Sequence, residues 1–272
     1  MSAYQQALAA LRIIPPGVGG RRASRLFERN FIVYRTRWLM LVSGFLEPLF
    51  YLLSIGIGLG AIVGSVPGPG GEAIPYQLFV APALLAQSTS NGAITDATFN
   101  VFFKLRYEKT YDSILATPLS VGDIALGEIG WALFRGALYA AGFAGAVLVL
   151  GLVRSPWFVL VLPASFLIGF AFAAVGMAAT TWMRSWQDLD LVQLVLLPLF
   201  LFSGTFFPLE TYPEGLRIVV QLTPLWHAVD LLRSLALGAI GPHVVVHVLY
   251  LTTMGLLGLA VVARRLDRLL LK

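Results

Sequence analysis

Residues 157–183 read WFVLVLPASFLIGFAFAAVGMAATTWM, without one charged side chain. As a helix rising about 1.5 Å per residue, this run is long enough to cross the roughly 30 Å hydrocarbon core of a bilayer. Outward from it, five further segments read as spans: 38–63, 76–99, 121–152, 189–208 and 243–263. The whole chain of 272 residues is 58% apolar and 12% charged, against about 45–50% and about 25% in soluble domains. No polar stretch is long enough to build a soluble domain. The expected fold is an all-α integral membrane protein with six transmembrane helices.

Two spans are irregular. Gln87-Ser88-Thr89-Ser90-Asn91 and Asp96 interrupt the second. The fifth is short and ends in Ser203-Gly204-Thr205-Phe206-Phe207-Pro208, which suits a broken or re-entrant helix whose backbone is satisfied by protein.

An even number of spans places both termini on one side. Seven arginines precede the first span, Lys104, Arg106 and Lys109 follow the second, Arg184 follows the fourth, and Arg264, Arg265, Arg268 and Lys272 form the tail. The remaining loops hold Arg154, Arg217 and Arg233. That asymmetry predicts cytoplasmic termini and accounts for the net charge of +5 as orientation, so nucleic acid is not an expected partner. Trp38, Tyr76, Trp157, Trp182 and Tyr250 fall near span ends, as aromatic anchors do. The arginine-rich start lacks the continuous apolar core of a cleavable signal peptide.

Ahead of the first span, Phe27, Phe31 and Tyr34 share one helical face and Arg22, Arg25 and Arg29 the opposite one. This predicts an amphipathic helix in the cytoplasmic interface, aromatics among acyl chains and arginines on phosphates. Residues 15–20 (PPGVGG) form a hinge before it. The loop 104–118 is polar and helix-capable; Lys104, Arg106, Glu108, Lys109 and Asp112 alternate in sign, and Tyr107 and Tyr111 lie at i,i+4. Such a helix reads either as a lever for a soluble partner or as a solvated connector.

Ionisable residues inside spans default to function or to mutual pairing. Glu47, Glu128 and Arg135 are of this kind, and either Glu47 or Asp96 is the expected partner of Arg135. Ser203, His227 and Asp230 lack the Gly-x-Ser-x-Gly context of a hydrolase. His243 and His247 have no third ligand in sequence, so neither catalysis nor metal binding is expected. The chain has no cysteine and no Walker A motif. Uphill movement would therefore need a nucleotide-hydrolysing partner or an ion gradient, and the paired interrupted repeats of gradient-driven carriers are not seen. A membrane transferase acting on lipid-linked substrates is the alternative, weakened by the lack of a dense carboxylate or histidine cluster at either face.

Several motifs occur together and in order: Glu47-Pro48-Leu49-Phe50-Tyr51-Leu52 with Gly56-x-Gly58-Leu59-Gly60; Phe79-Val80-Ala81-Pro82; Lys109-Thr110-Tyr111-Asp112-Ser113-Ile114-Leu115-Ala116-Thr117-Pro118; Gly127-Glu128 to Arg135-Gly136; and Phe202-Ser203-Gly204-Thr205-Phe206-Phe207-Pro208 with Tyr212-Pro213 and Thr223-Pro224. Over residues 22–270 the chain resembles the membrane subunits of ABC-2 type exporters, in particular nodulation-protein-J-like permeases.

The resemblance implies a non-catalytic, multi-pass permease of a bacterial plasma membrane. It would work as a homodimer or with a paralogue, in contact with membrane lipids and two copies of a cytoplasmic ATP-binding subunit. That subunit would bind ATP and Mg, with no cofactor on this chain. It divides the chain into a cytoplasmic segment 1–37, a six-span domain 38–263 with a coupling loop near 100–120 and an external re-entrant region near 203–238, and a basic tail 264–272. It implies that Arg25, Arg29, Arg106, Tyr107, Glu108, Tyr111 and Asp112 contact the ATPase, and that Phe202, Phe206, Phe207 and Pro208 line or gate the outer exit. The cargo classes it implies are lipidic, glycolipid, oligosaccharide or drug-like.

Overall fold

A computed structural model describes residues 20–35 and 46–270. The hinge at 15–19, Trp38, residues 38–45 of the first expected span, Lys272 and the side chains of Arg22 and Tyr34 lie outside that description. The chain runs α1 (Gly20–Arg35), α2 (Leu46–Val63), β1 (Ser65–Pro67) and β2 (Ala73–Pro75). Helix α3 follows as Tyr76–Thr95, widens into a π-helical turn over Asp96–Asn100, and ends as Val101–Arg106. Then come α4 (Thr110–Leu115), α5 (Val121–Val149), α6 (Val161–Thr180, entered through a 3₁₀ turn) and α7 (Asp188–Leu201). Helices α8 (Glu214–Leu222), α9 (Pro224–Leu237) and α10 (Pro242–Leu270) complete it.

Among the described residues the regular structure is helical apart from a two-stranded antiparallel hairpin pairing Ser65 with Pro75 and Pro67 with Ala73. This hairpin was not expected from the sequence. Four helices among the described residues are long and apolar enough to cross a membrane: Leu46–Val63, Val121–Val149, Pro156–Thr180 and Pro242–Leu270. The other two expected spans differ from these. Helix α3 is long, but carries the polar run around Gln87–Asn91 in sequence. Helix α7 has 14 residues, about 21 Å at helical rise, and stops at Leu201 where Gly204 takes a left-handed φ of 70°. Helix α10 continues through Arg268, so the expected basic tail is largely its last turns.

Helix α6 is the centre of the bundle, with α3, α5 and α10 packed around it and α9 resting on α3 and α10. Without a hydrophobic drive between helices in lipid, close contact depends on small residues. At Gly258 a Cβ would lie 2.9 Å from the backbone of Ala174 and Val175, so α10 meets α6 nearly backbone to backbone. Local signals set the ends. Ser120 and Asp123 form a reciprocal capping box starting α5. Thr223 caps α9, and Gly238 closes it with a φ of 84°. Helix α7 is the outlier, with only Leu189 and Leu196 buried.

The expected amphipathic helix forms as α1, and part of its apolar side packs on protein while Phe31 stays exposed. Phe27 packs edge-on against Trp131 and Phe134 of α5 at 5.4 and 5.2 Å. Leu26 is buried over Gly127, where a Cβ would approach its own Cβ to 2.8 Å. The missing side chain at 127 is the recess that seats α1.

Candidate functional site

At the end of the bundle where the basic residues gather, α1, α3, α4 and α5 meet on a buried polar cluster. Lys104 Nζ lies 2.8 and 2.9 Å from the two carboxylate oxygens of Glu128. It also donates to Asn30 Oδ1 at 3.3 Å, while Asn30 Nδ2 donates to Glu128 at 3.4 Å. Asn30, Lys104 and Glu128 are all buried. Sequence reading placed Lys104 among solvated loop charges and passed over Asn30; partners 24 and 98 residues from Glu128 leave no periodic trace.

Tyr111 of α4 is 1% exposed beside this cluster. Burial, then the adjacent Glu128 carboxylate, push its phenol well above the ordinary tyrosine range. Tyr111 therefore does not present itself to a partner as expected; it anchors α4. Nor do Tyr107 and Tyr111 share one helix face. The helix ends at Arg106, the chain reverses through Lys109 at φ 48°, and α4 starts anew at Thr110.

The other expected contact residues are open to solvent: Arg25, paired with Glu28 at 2.9 Å, Arg29, Glu108 and Asp112. Tyr107 is 57% exposed and its ring lies tilted against Phe103 at 5.5 Å. Arg106 donates to the Met183 carbonyl at 2.9 Å, tying the end of α3 to the corner between α6 and α7. Arg25, Leu26, Arg29, Glu108, Thr110 and Ile114 line a groove of about 390 Å³ between α1 and α4.

A second site lies deeper. Arg135 of α5 pairs with Asp96 at 2.6 Å and donates to the Tyr139 hydroxyl at 2.6 Å. The π-helical turn of α3 begins at Asp96, and such turns recur where a helix must re-aim a functional side chain. Of the two expected partners, Asp96 makes this ion pair. Glu47 is exposed and lines the same polar cavity, about 480 Å³, with Tyr51, Gln87, Asn91, Asp96 and Phe200. Its walls come from α2, α3, α5 and α7. The hollow thus gathers an ion pair and several polar side chains between four helices.

At the opposite end, the segment after α7 holds the expected exit residues. Phe202 and Phe207 are exposed. Phe206 packs on Phe200 at 5.0 Å and its carbonyl accepts from Tyr76. Pro208 is buried on a smaller cavity with Trp226 and Arg233. Arg233, read as a loop residue, is buried over the Phe79 ring at 3.8 Å and donates to the Phe79 and Gly204 carbonyls. Ser203 bonds Thr205 and the Phe200 carbonyl, so no triad assembles on it. His227 meets His247 at 2.7 Å and His247 meets Asp230 at 2.8 Å, which pins α9 to α10. No group of metal-binding side chains occurs among the described residues.

The sequence matches the model of the ABC-2 type transporter family over residues 22–237. This chain belongs to the ABC-2 type transporter family. Among its relatives, nodulation protein J of Rhizobium leguminosarum bv. trifolii is 33% identical over 249 residues, covering 89% of this chain and 93% of the relative. Nodulation protein J of Rhizobium leguminosarum bv. viciae is 30% identical over 256 residues, covering 92% and 97%. The inner membrane transport permease YadH of Escherichia coli (strain K12) is 24% identical over 202 residues, covering 73% and 75%. The chain is a multi-pass transport permease of nodulation-protein-J-like type.

Proposed function

We propose that this ABC-2 permease is the membrane half of an ATP-driven exporter. It would carry a lipidic, glycolipid, oligosaccharide or drug-like molecule outward, powered by a separate ATP-binding subunit that holds ATP and Mg. Six spans are proposed, α3 and α7 completing the four long apolar helices. Positive-inside asymmetry puts the basic end and both termini in the cytoplasm. The amino-terminal segment, the six-span body with its external 203–238 region and the basic carboxy-terminal turns then follow the division read from sequence.

The observation that carries the reading is the groove between α1 and α4, backed by a buried ion pair that joins its floor to α3 and α5. An ATPase seated there through Arg25, Arg29, Glu108 and Asp112 pushes on α1 and α4. The cluster of Asn30, Lys104, Tyr111 and Glu128 passes the displacement into α3 and α5. Those two helices carry Asp96 and Arg135, which line the polar cavity. Helix α7 forms its opposite wall with few buried residues to hold it, so widening the cavity costs little packing. A second permease copy, identical or paralogous, closes the path, and Phe202, Phe206, Phe207 and Pro208 border its exit.

Co-expression with the cognate ATP-binding protein tests this. The permease is expected to co-elute with the ATPase and alter its turnover, and Arg29→Glu with Asp112→Lys is expected to lose both effects while the permease still folds. Solitary elution of the wild type would overturn the reading.

A further inference from the structure

A second, apolar cavity of about 750 Å³ lies beside α7, apart from the polar pathway and lined by Phe172, Val175, Val192, Val195, Leu196 and Leu199 among others. It extends from Asp188, at the start of α7, toward Pro224 at the start of α9. Helix α7 alone is about 21 Å long by helical rise, more than the roughly 15 Å depth of one leaflet's hydrocarbon. Apolar walls of this size give water no partners, so within a bilayer the groove takes an apolar occupant.

The mouth at the basic end has a different chemistry. Trp182 and Met183 form its rim. The Arg265 guanidinium sits 4.4 Å over the Trp182 ring and donates to the Thr181 carbonyl at 3.4 Å, while its Nε is buried with no hydrogen-bond partner. Arg184, exposed, follows directly in the chain. Asp188 is an acid at this mouth, and one of its carboxylate oxygens accepts the backbone N–H groups of Arg184 and Ser185 at 2.7 and 3.0 Å. Arg184 and Arg265 adjoin the lining residues Met183 and Trp182, beside Asp188, which is already engaged, and the exposed Asp190.

We propose that this groove is a binding site for an anionic phospholipid, with an acyl chain along α6 and α7 and the phosphate at Arg184 and Arg265. Charge complementarity favours lipid over a second copy of the chain. A second copy in the same orientation brings the same basic excess, Arg106, Arg184 and Arg265 against Asp188 and Asp190, to the same depth and meets net like charge. A phosphodiester at that depth meets arginine donors and a tryptophan suited to the headgroup layer.

The chain has no cysteine, so Val195→Cys gives a single attachment point on the groove wall for a fluorophore. The full-length protein, reconstituted in phosphatidylcholine vesicles, is titrated with brominated phosphatidylglycerol or brominated phosphatidylcholine, without ATP or cargo. Half-maximal quenching is expected at a several-fold lower mole fraction of the phosphatidylglycerol. Leu257→Cys, on an exposed position of α10, is expected to give one curve for both lipids. Arg184→Gln with Arg265→Gln should move the phosphatidylglycerol curve onto the phosphatidylcholine one; Arg184→Gln alone, on an exposed side chain, should move it part of the way and serves if the pair does not fold. Coincident curves for the two lipids at Val195→Cys would overturn the proposal. So would absence of quenching by either lipid together with crosslinking of Val195→Cys between two copies, which would assign the groove to the second permease.

Discussion

The ammonium of Lys104 and the carboxylate of Glu128 are each removed from water, and each exists there because the other does. Taking away one partner leaves an uncompensated buried charge, at a cost of about 3–5 kcal/mol, whereas replacing both by apolar groups is often close to neutral. Glu128→Leu and Lys104→Met are each expected to lower the unfolding temperature in detergent sharply, and the double variant to recover most of the loss. Equal losses in single and double variants would show that the pair does not act as a unit. Tyr111 is a related case. Its ring fills the core and its hydroxyl sits by the same carboxylate, so Tyr111→Phe should fold and assemble almost as the wild type does. Tyr111→Ala should cost about 3–5 kcal/mol, as large aromatic truncations do, and lose α4 along with coupling. An expressed, fully stable Tyr111→Ala would contradict the burial that defines its role. Ion pairs of this kind are invisible along the chain because a partner 24 residues away carries no periodic signature.

Elements depend on a few backbone decisions. Lys109 holds a left-handed φ of 48°, a conformation costing roughly 1–2 kcal/mol for a residue with a Cβ. Lys109→Gly should therefore preserve or slightly raise thermal stability, and Lys109→Val should lower it, since a β-branched side chain fits that region poorly. The reversal separates α4 from α3, and a helix-capable lever over 104–118 was expected because no residue before Pro118 breaks a helix; tertiary packing of Tyr111 and Ile114 pulls the chain back instead. Helix α1 depends on the recess at Gly127. Gly127→Leu is expected to undock α1, which limited trypsin digestion would register as faster cleavage at Arg25 and Arg29, with the rest of the bundle intact. An unchanged cleavage rate would mean that α1 is held by other contacts. The amphipathic pattern of α1 was readable, but whether its aromatics face lipid or protein depended on Trp131 and Phe134, a hundred residues further on.

At the scale of the molecule, α6 is enclosed while α7 has most of its surface open, and the polar cavity lies between α7 and the better-packed part of the bundle. Tyr51 of α2 and Phe200 of α7 approach to 6.3 Å between ring centroids across one wall. Thiol crosslinking of Tyr51→Cys to Phe200→Cys should stop export while leaving co-elution with the ATPase unchanged, and restored export on reduction would be the confirming control. Uninterrupted export by the crosslinked protein would show that α2 and α7 need not separate. The sequence by itself determined that the chain is a helical membrane protein. It also marked the basic side and singled out residues 104–118 and 202–208. Hydropathy, charge asymmetry and helix-breaking residues act locally, so composition and order are enough to reveal them. Only the tertiary structure decided that Arg135 pairs with Asp96, that Glu128 takes Lys104 and Asn30, that Tyr111 is an anchor rather than a contact, and that α7 borders both a polar and an apolar hollow. Those outcomes depend on which distant side chains share a buried, low-dielectric volume, where an unpaired charge or an unfilled recess is costly. Chain folding sets that proximity; spacing along the sequence does not.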